Sequence, residues 1–176
     1  VAGYSTPTVV QATFMHILSL VGSAPYFDDA VKSGRYSASG MFTDVSVNWW
    51  ELAGKTIGII GMGNIGRKVA QIAEAFGMNV CYFSTSGTSH CKDYPSLPLE
   101  QLLAQSDIVS VHAPLNERTD ALIGEKELAM MKPSAYIVNM GRGGIVVEEA
   151  LVKAVDEGVI AGAALDVFSV EPLPED

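Results

Sequence analysis

The chain has 176 residues, 48% of them hydrophobic, and 11 Lys and Arg against 20 Asp and Glu give it a formal charge of −9. That length and apolar content suit one domain with a sizeable core, and the acidic balance argues against non-specific binding of nucleic acid. No apolar run reaches the length needed to span a membrane, so no membrane partner is expected.

The first elements can be read in order. Thr6-Pro7 reads as a helix start, with Thr6 as capping residue and proline at the first helical position. Val10, Phe14, Ile17, Leu18 and Val21 form an apolar stripe, and Gly22 could end the helix. From Ser33 to Val47 the chain is polar and aperiodic, which predicts an extended loop. Trp49 and Trp50 either cover an edge of the sheet or belong to a subunit interface.

Next comes the stretch that organises the rest. Lys55-Thr56-Ile57-Gly58-Ile59-Ile60 reads as a strand, and it runs into Gly61-Met62-Gly63-Asn64-Ile65-Gly66, a G-x-G-x-x-G turn. Val69, Ile72, Ala73 and Phe76 then recur at helical spacing, with Gly77 at the helix end. Strand, glycine turn and helix in this order make a dinucleotide-binding βαβ unit. Gly61 permits the tight turn, Gly63 lets the backbone approach a pyrophosphate, and Gly66 lets helix and strand pack closely. The pyrophosphate would sit at the helix N-terminus, beside unpaired N–H groups and the positive end of the dipole.

Four further strands are expected at Asn79–Phe83, Asp107–Val111, Ala135–Asn139 and Ala161–Asp166, with helices around Leu99–Gln105, Lys126–Met131 and Glu148–Glu157. The strands are near-continuously apolar, as they must be when helices cover both faces. The expected fold is therefore a Rossmann-type α/β domain, a doubly wound parallel sheet in three α/β/α layers. The two cysteines, Cys81 and Cys91, are too few for a disulfide framework, and Cys81, in an apolar strand-like run, reads as a buried free thiol in a reducing compartment, hence the cytoplasm. No metal site is expected. The chain opens with Val1 and stops just after Glu171-Pro172-Leu173-Pro174, and both ends read as cuts in a longer protein.

Ligands of such sheets bind at the carboxyl ends of the strands. That rule selects Ser84-Thr85-Ser86, His112-Ala113-Pro114-Leu115, Met140-Gly141-Arg142-Gly143-Gly144, and Asp166 with Glu171. On residue type alone, Arg142 reads as a solvated or phosphate-contacting side chain, Glu171 as a surface residue, and Asp166 as a turn cap.

In this order the pieces resemble the D-2-hydroxyacid dehydrogenase family. They are Gly61 to Gly66, Val111-His112-Ala113-Pro114-Leu115-Asn116-Glu117-Arg118-Thr119, Asn139-Met140-Gly141-Arg142-Gly143-Gly144, and Leu165-Asp166-Val167-Phe168 with Glu171-Pro172. The opening Gly3-Tyr4-Ser5-Thr6 fits as well, so the resemblance covers nearly the whole chain. It implies that residues 1–176 are a dinucleotide-binding domain, inserted in the complete subunit into a substrate-binding domain that this chain lacks. It implies an oxidoreductase interconverting 2-oxo acids and D-2-hydroxy acids of the glycerate/hydroxypyruvate, lactate/pyruvate or phosphoglycerate kind. The family's catalytic arginine falls on Arg142, to hold the substrate carboxylate and polarise the carbonyl, a task that suits a permanently charged fork of donors. Its catalytic glutamate falls on Glu171, to hydrogen-bond an acid–base histidine that none of His16, His90 and His112 matches. The implied cofactor-binding set is Gly61, Gly63, Asn64, Ile65, Gly66, Ser84, His112, Ala113, Pro114, Thr119, Met140, Gly141, Arg142 and Asp166, the last near the nicotinamide amide.

One position departs from the pattern. NAD-specific members carry Asp or Glu at the end of the second strand, where this chain has Ser84, and no Lys or Arg follows before Lys92. NAD is the expected cofactor, with NADP open. The resemblance further implies a homodimer formed through the first helix, Thr6–Val21, and the arm ending at Trp49-Trp50. The alternative within the same family is an NAD(H)-sensing module of transcriptional regulation.

Overall fold

In the computed structural model the described residues are 4–88 and 91–173. Gly3, His90 and Pro174, which entered the sequence reading, lie outside them. Five strands form one sheet: β1 (Thr56–Ile60), β2 (Asn79–Phe83), β3 (Ile108–Val111), β4 (Tyr136–Asn139) and β5 (Gly162–Leu165). Every pairing is parallel, in the order β2-β1-β3-β4-β5.

Continuous apolar strands need cover on both faces, and they have it. On one face α1 (Thr6–Val21) and α4 (Asn64–Ala75) set Val10, Phe14, Ile17, Val69 and Ala73 against Ile57, Ile59 and Val138. On the other, α5 (Leu99–Gln105), α6 (Glu125–Leu128) and α7 (Glu148–Asp156) set Leu102, Leu103, Leu128 and Leu151 against Ile60, Val109, Val111 and Ile137. The architecture is therefore doubly wound and three-layered. The chain runs outward from β1 to β2, then crosses back past β1 to β3, so the switch in direction falls between β1 and β3. A ligand crevice belongs at that point.

Asp107, expected as the first residue of a strand, is instead an anchor just before β3. Its Oδ2 accepts from the Thr56 N–H at 2.8 Å and its Oδ1 from Lys132 Nζ at 2.8 Å, which ties the start of β1 to the segment entering β4. Burial alone would push its carboxyl up, but the Lys132 and Thr56 hydrogen bonds more than offset this and hold it below the usual carboxylate range.

Two expectations need correction near the N-terminus. The residue capping α1 is Ser5, because the Val9 N–H already bonds the Ser5 carbonyl at 3.0 Å and Thr6 lies within the first turn. The stretch expected as a loop holds α3 (Arg35–Ser39), and α2 (Ala24–Lys32) precedes it. Hydrophobic periodicity could not reveal them, since Ala30 is the one buried residue of α2 and α3 has none. They are held by local polar contacts. Arg35 pairs with Asp29 at 3.0 Å and stacks over the Tyr26 ring at 5.1 Å, and the Tyr36 hydroxyl donates to the Phe42 carbonyl at 3.1 Å. The two tryptophans divide their tasks. Trp50 stacks on Tyr136 at 5.9 Å and covers the amino end of the sheet, whereas Trp49 stays 60% exposed.

Candidate active site at the carboxyl edge of the sheet

The glycine turn begins directly after β1, where the Gly61 N–H still bonds the Phe83 carbonyl at 3.1 Å. Gly61 takes φ +97°, in the left-handed region, and any Cβ on it would press on the Ala113 backbone at 2.9 Å. This residue must therefore be glycine for two reasons at once, its dihedral and the approach of the segment after β3. Gly63 caps α4, and nothing lies within 4 Å of the position its Cβ would take. Asn64 and Ile65 begin α4, and Gly66 packs its backbone against the Gly61 carbonyl.

A cleft of about 280 Å³ opens there, lined by Gly61, Gly63, Tyr82, Ser84, His112 and Pro114 among others. The switch point thus joins three segments that are far apart in the chain. His112 bonds Ser110 Oγ through Nε2 at 2.8 Å, and its Nδ1 is buried with no hydrogen-bond partner among the described residues. Burial pushes its pKa down to about 4, so the ring is neutral at ordinary pH.

Thr119 does not line this cleft. It is fully buried, and its hydroxyl donates to the Pro114 carbonyl at 2.6 Å and accepts from the Asn116 N–H at 2.9 Å. Its place is beneath the turn, holding Pro114 and Arg118 in position. Met140, Gly141 and Ala113 are likewise buried at the strand ends, and a Cβ on Gly141 would stand 2.7 Å from the Ala113 carbonyl oxygen.

Farther along the same edge, the turn after β4 is built by Asn139. This side chain is almost wholly buried; its Nδ2 donates to the Arg142 carbonyl at 3.0 Å and its Oδ1 accepts from the Gly141 N–H at 3.1 Å. The clamp presents Arg142 outward, with Nη1 donating to the Gly141 carbonyl at 2.7 Å. Among the described residues Arg142 makes no ion pair.

Gly143 then meets the loop after β5 so closely that a Cβ would fall on the Phe168 carbonyl. That contact sets the Arg142 turn beside the loop of Asp166 and Glu171. The Glu171 carboxylate accepts from the Phe168 N–H at 2.9 Å, and Glu148 at the start of α7 accepts from the Ser169 N–H at 2.6 Å and its hydroxyl at 2.9 Å. Asp166 is exposed, 3.9 Å from His16 Nε2. Arg142, Asp166 and Glu171 therefore occupy one end of the carboxyl edge, and the glycine cleft lies at the other. Asn139 belongs with them through its clamp, although residue type gave it no separate role. The sequence reading also missed Arg118, whose guanidinium reaches the turn after β2 and donates from Nη1 to the Ser86 carbonyl at 2.9 Å. No local signal could have found it, because the two partners are 32 residues apart.

The cleft suits a dinucleotide. The open position at Gly63 leaves room for close approach of a phosphate to the start of α4, and the orphaned His112 Nδ1 stands ready for a polar partner. Residues 14–176 match the family model of the D-isomer specific 2-hydroxyacid dehydrogenase NAD binding domain. The chain is 55% identical over 128 residues to a glyoxylate reductase of Aeropyrum pernix, an alignment covering 70% of this chain and 38% of that protein. The fold superposes with a TM-score of 0.86 on a D-lactate dehydrogenase from Aquifex aeolicus complexed with NAD and lactic acid, at 33% identity over 96% of this chain and 50% of that one. An acyclic imino acid reductase in complex with NADPH and D-Arg gives a TM-score of 0.84 at 32% identity, covering 95% of this chain and 52% of that one. The chain spans about half, or less, of the length of these proteins. With its strand order, its glycine cleft and its Arg142 turn, this chain belongs to the D-isomer specific 2-hydroxyacid dehydrogenase family, in the NAD-binding domain.

Proposed function

We propose that the chain is the cofactor-binding half of an oxidoreductase that interconverts 2-oxo acids and D-2-hydroxy acids, with a small substrate of the glyoxylate, hydroxypyruvate or pyruvate kind. The observation that carries this reading is the contact of Gly143 with Phe168. It puts an outward-facing arginine, without an ion-pair partner among the described residues, next to the loop of Glu171, on the same edge as the cleft at the glycine turn. The glyoxylate reductase and D-lactate dehydrogenase relatives support the substrate class.

In this reading the start of α4 and the Gly61–Gly66 turn hold the pyrophosphate, with backbone N–H groups aimed at it. A bound nicotinamide supplies the hydride. The guanidinium of Arg142 grips the substrate carboxylate and its carbonyl oxygen together, and its charge stabilises the negative charge that grows on that oxygen. Glu171 holds and orients a histidine supplied from outside this chain, which delivers the proton. Asn139 acts through Arg142, as a positioning residue.

A homodimer is part of the proposal. An apolar groove of about 750 Å³ runs along α1 and α4, lined by Val10, Phe14, Met15, Leu18, Ile72 and Phe76. Met15 is 60% exposed and Leu18 43%, and the arm beyond α3 adds Phe42 at 97% and Trp49 at 60%. Such a surface suits burial against a second copy. The buried thiol of Cys81, in no disulfide, supports a reducing compartment, the cytoplasm. The test is a titration with NADH followed by a rate assay of the full-length polypeptide on glyoxylate, hydroxypyruvate and pyruvate. Binding with turnover is expected. Binding without turnover on any of them would favour an NAD(H)-sensing module instead.

A further inference from the structure

The turn after β2 is the place where a dinucleotide-binding domain distinguishes a free ribose hydroxyl from a 2′-phosphate. A carboxylate there accepts from the ribose and repels the phosphate, and a nearby arginine does the reverse. In this chain the segment carries hydroxyls: Ser84 Oγ lies 3.1 Å from Ser86 Oγ and donates to the Thr88 carbonyl at 2.7 Å. Among the described residues, none lining the cleft is Asp or Glu. The cation missing from this segment arrives from elsewhere in the fold. Arg118, on the turn after β3, extends over Gly87 and donates from Nη1 to the Ser86 carbonyl at 2.9 Å.

Arg118 is held from its backbone. Its N–H donates to Asn116 Oδ1 at 2.9 Å, and Thr119 fixes the same turn from below. A guanidinium has five N–H donors, and the Ser86 carbonyl takes one of Arg118's. No carboxylate among the described residues lies within ion-pair distance of it, although the chain carries a net charge of −9. A planar fork of donors that makes no ion pair among the described residues, bonded to the backbone of a segment that carries the Ser84 and Ser86 hydroxyls, suits a phosphate by chemistry.

We propose that Arg118, with Ser84 and Ser86, forms a 2′-phosphate site, so that this chain takes NADP(H) in preference to NAD(H). The proposal rests on the cleft being the dinucleotide site, and it assigns the selectivity to a residue on a different strand connection from the one that normally carries it.

The test is a fluorescence titration of the protein with NADPH and with NADH, for wild type, Arg118→Ala and Ser84→Asp. Wild type is expected to bind NADPH more tightly. Arg118→Ala should weaken NADPH by about tenfold to a hundredfold, the worth of a hydrogen bond to a charged group, and leave NADH nearly unchanged. Ser84→Asp should shift the preference the same way, by repelling the phosphate. A wild-type preference for NADH, or an equal loss of both ligands in Arg118→Ala, overturns the proposal while leaving the dinucleotide site standing. Failure of wild type to bind either ligand removes both readings.

Discussion

At the scale of single residues, Arg142 and His112 make opposite use of charge. Arg142 is an exposed guanidinium held by a buried clamp. If it grips carboxylate and carbonyl together, Arg142→Lys should fail although it keeps the charge, because an ammonium is a point charge without the fork. The full-length enzyme is expected to lose on the order of a hundredfold to a thousandfold in kcat with NADH binding nearly unchanged. Weaker cofactor binding with turnover intact would make Arg142 a phosphate contact instead. His112 works by staying neutral. Its folded pKa, pushed down to about 4, lies below its ordinary 6.5, so between those values the unfolded chain binds more protons. Its contribution to stability is therefore complete above pH 6.5 and is lost as the pH falls toward 4. The loss is of order 3 kcal/mol at about 1.4 kcal/mol per pH unit. Urea unfolding at pH 7, 5.5 and 4.5 should show this decline in wild type and a smaller one in His112→Gln.

At the scale of elements, the carboxyl edge is assembled by backbone approaches and the amino edge by a charge. Gly143 leaves no room for a methyl group against the Phe168 carbonyl. Gly143→Ala must separate the Arg142 turn from the Glu171 loop, and it is expected to cost turnover more than cofactor affinity. Nearly unchanged kcat with that variant would mean that the two loops need not stay in register. At the other edge, Asp107 is 16% exposed in its side chain and serves both β1 and Lys132. Removing it in Asp107→Ala leaves the Thr56 N–H and the Lys132 ammonium without their partner. Two hydrogen bonds to a charged group suggest a loss of about 2 to 3 kcal/mol in urea unfolding at pH 7. Because its folded pKa is lowered, that contribution is present above the ordinary 3.8 and fades as the pH falls through the folded value.

At the scale of the whole molecule, the apolar face of α1 is both core and surface. Val10, Phe14 and Ile17 belong to the core under the sheet, and Val10 and Phe14 also border the outer groove that Met15 and Leu18 line. Leu18 also borders a second apolar hollow with Trp49 and Trp50, so one side chain joins the helix to the arm. Leu18→Glu should convert a homodimer into a monomer, read as a halved mass by light scattering at micromolar concentration. A wild type that is monomeric in the same measurement would sink the assembly.

The sequence by itself determined the layers and the order of strands and helices. β2 and α5 match their expected bounds, because long apolar runs broken by Gly and by polar turns admit few other arrangements. The glycine turn and the Asn139–Gly144 piece were legible as motifs, since each needs particular residues in consecutive positions. What lay beyond the sequence was whatever depends on a partner distant in the chain. α3 is held by Arg35, Asp29 and Tyr26 rather than by periodic burial, and Thr119 is hidden under a turn although its motif suggested a ligand contact. Arg118 is the sharpest case. Counting along the chain from Ser84 finds no cation before Lys92, but the parallel crossover through α5 sets β3 on the other side of β1 from β2, and the long guanidinium on the turn after β3 reaches across to the turn after β2. Local order follows from local pattern, whereas the charge around a ligand is the sum over every loop that the sheet brings to one edge.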